Sequence, residues 1–291
     1  MIGELLGIVV PVYACAALGY LWARSGRRYD TALMTDLVMM VGAPCLVFSG
    51  LTSLEIDLEL LSRMALATAC VLSALGLLGA LVLRALGLPS TTYLSPFVFG
   101  NTGNMGLPLC LFAFGEPGLA LGVGIFATVS LCHFTFGQWL WAGRASFASL
   151  LRIPLFWSAT LGALVLALDV VLPLWLTRSV ALLGDVAIPL MVLTLGVTLS
   201  RVRAGVLRRS LLLSVVRLGL AVACACGVAA MLDLEGVARG VLILQAAMPV
   251  AVINALMAER YGRQPDEVAS LVVVSTLLSL LTTPVVLAAL L

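Results

Sequence analysis

Long apolar stretches recur along the whole chain, separated by short polar breaks. They lie at about 4–23, 31–52, 60–83, 92–114, 118–141, 153–172, 179–200, 207–231, 236–259 and 267–290. Each is close to the roughly 20 residues that a helix, rising about 1.5 Å per residue, needs to cross the hydrocarbon of a bilayer. The pattern therefore predicts ten membrane-spanning helices joined by short connections.

The charges outside these stretches alternate in sign. Arg24, Arg27 and Arg28 follow the first stretch and Arg84 the third. Arg144 and Arg152 lie between the fifth and sixth, Arg201, Arg203, Arg208 and Arg209 after the seventh, and Arg260 and Arg263 after the ninth. The other connections carry Glu55, Asp57, Glu59, Glu116, Asp169, Asp233 and Glu235, and Arg63, Arg178 and Arg239 also lie towards that side. Excess positive charge marks cytoplasmic loops. Odd-numbered spans are thus expected to end in the cytoplasm, with both termini on the extracytoplasmic side.

The chain also resembles itself. "VGAPCLVFSGLTSL" (41–54) in the second stretch pairs with "VAIPLMVLTLGVTL" (186–199) in the seventh, aligning Pro44 with Pro189. "FGEPGLALGVGIFATVSL" (114–131) pairs with "YGRQPDEVASLVVVSTLLSL" (261–280). Two units of five spans, 1–145 and 146–291, follow. An odd number of spans inverts the second unit in the membrane, as in many secondary transporters.

Two stretches are unsuited to unbroken helix. The fourth holds "GNTGNMGLPL" (100–109), and its counterpart in the ninth holds Pro249 flanked by Gln245 and Asn254. Proline removes a backbone donor and clashes with the carbonyl four residues back. Freed backbone groups are costly in lipid, so both breaks must face protein or a wet cavity. Half-helices that begin at a break offer N–H groups and partial positive charge, which suit an anion. Asn101, Asn104, Gly106, Pro108, Gln245, Pro249 and Asn254 are therefore expected to form a substrate site at mid-membrane. Ser130 and His133, in the fifth stretch, are added to it.

Composition agrees with this reading. Of 291 residues, 62% are hydrophobic and only 10% charged, against roughly 25% charged in a typical soluble domain. No soluble domain fits beside ten spans. All 16 basic residues are Arg and the net charge is +2, which gives no nucleic-acid signal. The seven cysteines all fall in apolar stretches without metal-ligand spacing. No metal or cofactor is expected. The N-terminal stretch follows Glu4 instead of a basic segment, and it is read as a retained span, not a signal peptide.

"NTGNMGLPL" resembles the fourth-span motif of the auxin efflux carrier family, which includes the plant PIN-type exporters. "AMPVAVINALMAERYGRQPDEVASLVVVSTLLSLLTTPV" (247–285) and "LLGDVAIPLMVLTLGVTL" (182–199) resemble its ninth, tenth and seventh spans. The resemblance implies an NhaA-like fold in which broken helices 4 and 9 cross. It implies a scaffold of spans 1, 2, 6 and 7 that forms a homodimer, and a transport domain of spans 3–5 and 8–10 that moves as an elevator. It implies small organic anions as substrates, auxin or dicarboxylates. Asn101, Pro108 and Pro249 carry over from the motifs. Ser130 stands where plant members have an amide, which argues against auxin itself, and the long cytoplasmic loop of plant exporters is absent.

Asp36, Asp185 and Arg217 are the candidates for a coupling-ion or proton site. An enzyme is not expected, since one His and no paired acids lie within the spans. The expectation is a carrier of a small carboxylate in a cytoplasmic (inner) membrane. The alternatives are a sodium- or proton-coupled symporter of the bile-acid-transporter type and a non-transporting sensor or scaffold.

Overall fold

The computed structural model describes residues 2–52, 58–143, 151–201 and 207–291. Glu55, Asp57, Arg144 and Arg203, used above to orient the chain, lie outside the described residues. Among those described the chain is helical. Seven stretches are long and apolar enough to cross a membrane. Four are single helices: α1 (Ile2–Arg24), α3 (Leu58–Ala85), α8 (Leu207–Met231) and α11 (Pro265–Leu290). Three are composite: α2 (Thr31–Thr52), α5 (Thr102–Ala142) and α7, which is made of Leu174–Asp185 and Ala187–Arg201. Shorter helices are α4 (Ser90–Val98), α6 (Pro154–Ala167), α9 (Gly236–Ala246) and α10 (Ile253–Arg260).

At 41 residues, α5 would reach about 60 Å if straight, twice the hydrocarbon thickness. It is instead a hairpin. Gly115 has φ 67° and ψ −159°, outside helical geometry. Past it the chain doubles back. A Cβ on Gly122 would lie 3.2 Å from the Cβ of Cys110, and one on Gly103 would lie 2.8 Å from Cε2 of Phe126. Residues that far apart along one straight helix could not approach so closely. The first arm, 102–114, continues the path of α4 after a break. The second arm, 116–142, is the separate fifth stretch of the sequence pattern.

Prolines shape two of the composite helices in the same way. A π turn at Val38–Gly42 precedes Pro44, and another at Thr102–Gly106 precedes Pro108. Proline cannot donate to the preceding turn and crowds it. Widening that turn makes room for the ring without ending the helix.

Two expected boundaries are corrected. The sixth stretch is helical only over Pro154–Ala167, not to 172, and α7 begins at Leu174, five residues before the expected 179. The intervening segment is apolar but carries Asp169 in a left-handed conformation, φ 50°, and Pro173 just before α7.

The helices pack in two apolar clusters. The larger joins α1, α3, α4, α5, α7, α8, α9 and α11 and includes Val71, Ile125, Leu195, Leu213, Leu244 and Val272. The smaller joins α2, α6 and α7 to both arms of α5 through Val47, Leu107, Val123, Phe126 and Met191. Large side chains such as Leu21, Leu77, Trp175 and Leu281 are exposed, as expected for helices whose outer faces meet lipid chains. Helices α1 and α7 touch backbone to backbone. A Cβ on Gly19 would meet the Leu193 backbone, and one on Gly196 the Ala16 carbonyl. Small residues permit such approach where lipid gives no hydrophobic drive to association.

Candidate functional site

The two interrupted helices cross at their breaks. After α4 the chain is extended at Phe99–Gly100, and after α9 it is irregular from Ala247 to Val252. The segments meet as an antiparallel bridge between Gly100 and Val250. The Asn101 N–H donates to the Pro249 carbonyl at 2.7 Å, and the Ala251 N–H donates to the Phe99 carbonyl at 3.1 Å. Exchanging 99 with 249 and 101 with 251 turns one bond into the other, so the contact has a local two-fold relation. The break in the first pair thus lies at 99–101, seven residues before Pro108, which sits in the first turn of the regular helix after the π turn.

Breaking two helices in a membrane exposes backbone groups that lipid cannot satisfy. Here most are satisfied by protein. The Val250 N–H donates to Ser275 Oγ at 3.1 Å, and Arg217 Nη1 donates to the Met248 carbonyl at 2.6 Å. The Asn101 carbonyl accepts from the Gly106 N–H at 3.2 Å. The N–H groups of Thr102, Gly103 and Asn104 open the second half-helix, where no preceding turn supplies acceptors.

The predicted site residues separate into those engaged by protein and those left open. Asn254 is fully buried and fully employed. Its Oδ1 accepts from Ser95 Oγ at 2.8 Å, and its Nδ2 donates to the Ala251 carbonyl at 3.1 Å and the Phe99 carbonyl at 3.4 Å. Ser95 Oγ accepts in turn from Trp141 Nε1 at 3.0 Å. This chain of bonds ties α4, the second arm of α5 and α10 around the crossing.

The open groups are adjacent to it. Among the described residues, the buried side-chain N and O atoms without a partner are Asn101 Nδ2, His133 Nε2, Arg217 Nε, Gln245 Nε2 and Oε1, and Thr283 Oγ1. All but the last belong to residues at or against the crossing. The His133 ring stacks on Phe99, with centroids 4.3 Å apart and planes 2° from parallel. Gln245 lies against Gly106, where a Cβ would collide with its amide. Buried polar groups are ordinarily hydrogen-bonded, so such a cluster marks a place where a ligand or water completes the structure. Pro108, Pro249 and Ser130 are buried and Asn104 is partly exposed.

Arg217 lies ten residues into α8, about 15 Å and so near mid-membrane. It does not reach back to an interface: its side chain is 3% exposed. Among the described residues no carboxylate pairs with it, whereas Arg209 at the start of the same helix is paired with Glu267 at 2.9 Å. A cation at this depth costs roughly 3 kcal/mol on insertion scales. A cavity of about 30 Å³ adjoins it, bounded by Gly100, Thr102, Gln245, Thr68 and apolar residues of α3, α4, α9 and the second arm of α5. A Cβ on Gly100 would sit 2.7 Å from Arg217 Nη2 and 3.2 Å from the Met248 carbonyl oxygen, so a side chain there would displace the guanidinium.

Asp36 and Asp185 are exposed. No metal-binding cluster of His, Cys or acidic residues occurs among the described residues. Sequence reading missed Ser95, Thr102 and Trp141. Thr102 sits inside the quoted motif and could have been found there. The roles of Ser95 and Trp141 depend on contacts with no local signature.

Comparison with known proteins points to membrane transporters. Residues 5–143 and 143–287 match the family described as membrane transport protein. An uncharacterized transporter of Methanothermobacter thermautotrophicus is 26% identical over 294 residues, covering 95% of each chain. An uncharacterized transporter of Methanocaldococcus jannaschii is 26% identical over 197 residues, and that match spans 63% of each chain. The chain belongs to the family of auxin efflux carrier-like membrane transport proteins.

Proposed function

We propose that this protein is a secondary carrier that moves a small carboxylate across a cytoplasmic (inner) membrane by alternating access. The observation that carries the reading is the crossing. Two interrupted helices meet inside the membrane, and the buried polar atoms around them lack partners. Asn101, Asn104, His133 and Gln245, with the N–H groups that open the helix at Thr102, would hold the carboxylate. Asn254 would hold the crossing together instead of touching substrate.

The path of the chain is read as ten crossings in two inverted units, with α4 plus 102–114 as the fourth and α9 plus α10 as the ninth. The two-fold relation of the bridge supports this. So does Gly42, whose Cβ would lie 3.2 Å from the Cβ of Ala187. Gly42 and Ala187 precede Pro44 and Pro189 by the same two residues, so the two units touch through equivalent positions. The helices α1, α2, α6 and α7 would form the scaffold and, by family analogy, a dimer interface. The remaining helices would move. A cavity of about 30 Å³ holds about two waters, so substrate entry requires movement.

The test is uptake of labelled acetate, malonate and malate into proteoliposomes, with and without sodium or a pH gradient. Wild-type protein should transport at least one of them. Asn101→Ala should abolish transport while inserting and folding normally; full transport by that variant would remove Asn101 from the site.

A further inference from the structure

We propose that Arg217 is the counter-charge for the transported carboxylate, the fixed cation that the anion neutralises at mid-membrane. This rests on the carboxylate-carrier reading and adds to it the residue that makes the site select for negative charge. Three observations converge on it. The guanidinium is almost wholly buried, with no acidic partner among the described residues and with Nε unpartnered. Its one protein bond among the described residues, to the Met248 carbonyl, fixes the group at the crossing without neutralising it. The cavity beside it is also lined by Gln245, whose amide has no partner, and by Thr102 at the start of a half-helix.

A buried charge is tolerated when it is paired and hydrogen-bonded. Arg217 has a hydrogen bond but lacks the pair. An anion with acceptor oxygens completes both requirements, and a guanidinium fork suits a carboxylate. The cavity has the bulk of a carboxylate head, not of a whole dicarboxylate. The charged end of the substrate therefore enters beside Arg217, Gln245 and Thr102. Its remainder stays towards Asn101, which adjoins Gly100 in the chain. The glycine at position 100 fits this arrangement, since any side chain there would push the guanidinium aside.

The experiment is ligand-induced thermal stabilisation and binding with purified full-length protein. The probes are potassium acetate, malonate and malate, with potassium chloride and uncharged malonamide as controls. Wild-type protein should be stabilised by at least one carboxylate, saturably and beyond chloride, and not by malonamide. Arg217→Gln should lose affinity for that carboxylate by about a hundredfold, and Arg217→Lys should retain an intermediate affinity. Gly100→Ala, which keeps the arginine but displaces it, should weaken binding at least tenfold.

Equal loss in Arg217→Gln and Arg217→Lys would reduce Arg217 to a holder of the Met248 carbonyl and overturn the proposal. So would undiminished binding by Arg217→Gln. Should neither variant fold, wild-type protein decides: binding malonamide as tightly as malonate, or responding to chloride alone, overturns the assignment. Indifference of wild-type protein to every carboxylate sinks the carrier reading as well. Carboxylate binding that survives loss of Arg217 sinks only the assignment.

Discussion

Asn101 and Asn254 are the same residue type, both buried at the same crossing, yet they should respond oppositely to truncation. Asn254→Ala removes three hydrogen bonds, at 2.8, 3.1 and 3.4 Å. The Phe99 carbonyl keeps the Ala251 N–H, and the Ala251 carbonyl keeps the N–H of residue 254. Only the Ser95 hydroxyl loses its acceptor. Side-chain hydrogen bonds between membrane helices average about 0.6 kcal/mol each, so three give about 2 kcal/mol, with the stranded hydroxyl pulling the figure upward. Asn101→Ala removes an Nδ2 with no partner and leaves the backbone bond to Pro249 in place. Its stability change should be near zero or slightly favourable. The assay is unfolding of detergent-purified protein by titration with a denaturing detergent, followed by tryptophan fluorescence. Trp141, bonded to Ser95 at the crossing, is a built-in reporter. The expected result is a loss of about 2 kcal/mol for Asn254→Ala and substrate protection missing only in Asn101→Ala. Equal destabilisation by the two variants would refute the division of labour drawn from their partners.

Gly106→Ala should drive a methyl group into the Gln245 amide and sharply reduce carboxylate uptake; adding Gln245→Ala should restore normal folding, read by size-exclusion profile, but not transport. Gly196→Val should separate α1 from α7, because the added atoms would meet the Ala16 backbone. That contact cannot give way as a flexible side chain can, so the variant should fail to accumulate in membranes as monodisperse protein.

The existence of two breaks was legible in the sequence because proline, glycine and amide residues are out of place in a hydrocarbon-spanning run. Their exact position was not. The Pro108 ring is absorbed by the π turn at Thr102–Gly106, and the chain leaves helical geometry earlier, where Gly100 meets Val250. Residue type also could not separate Asn254 from Asn101, because the difference lies in Ser95 and Trp141, more than a hundred positions from Asn254. Sequence position alone does not decide between a snorkelling and an interior side chain for Arg217. Its distance from the helix start allows either, and the choice is made by the Met248 carbonyl and the missing Cβ at Gly100. The ends of α6 and α7 were misplaced because hydropathy reports contact with lipid, not helix. Val171 is 93% exposed and apolar, yet the chain there is not helical.

The distribution of polar links bears on how the proposed carrier would move. Arg63 Nη2 donates to the Leu232 carbonyl at 2.6 Å, Tyr93 donates to Glu267, and Arg209 pairs with Glu267. With the Arg217 and Asn254 bonds, these tie α3, α4, α5, α8, α9, α10 and α11 to one another. Towards α2, α6 and α7 the contact is apolar, through the smaller cluster and through Val192 and Leu195 of α7 in the larger; towards α1 it is also mostly apolar, with one long polar link, Tyr13 Oη to Ser279 Oγ at 3.4 Å. A rigid group of helices moving along an apolar face is what an elevator motion needs. Cysteines placed across that face should therefore stop it. A Cβ on Gly50 in α2 would lie 3.5 Å from the Cβ of Val123 in α5, within disulfide range. In a background lacking the native cysteines, oxidising the Gly50→Cys, Val123→Cys pair should block carboxylate uptake, and reduction should restore it. The Gly42→Cys, Ala187→Cys pair, which joins α2 to α7 inside the proposed scaffold, should leave uptake intact when crosslinked. Transport that continues with residues 50 and 123 covalently joined would mean that α5 does not move against α2, and the elevator reading would fall.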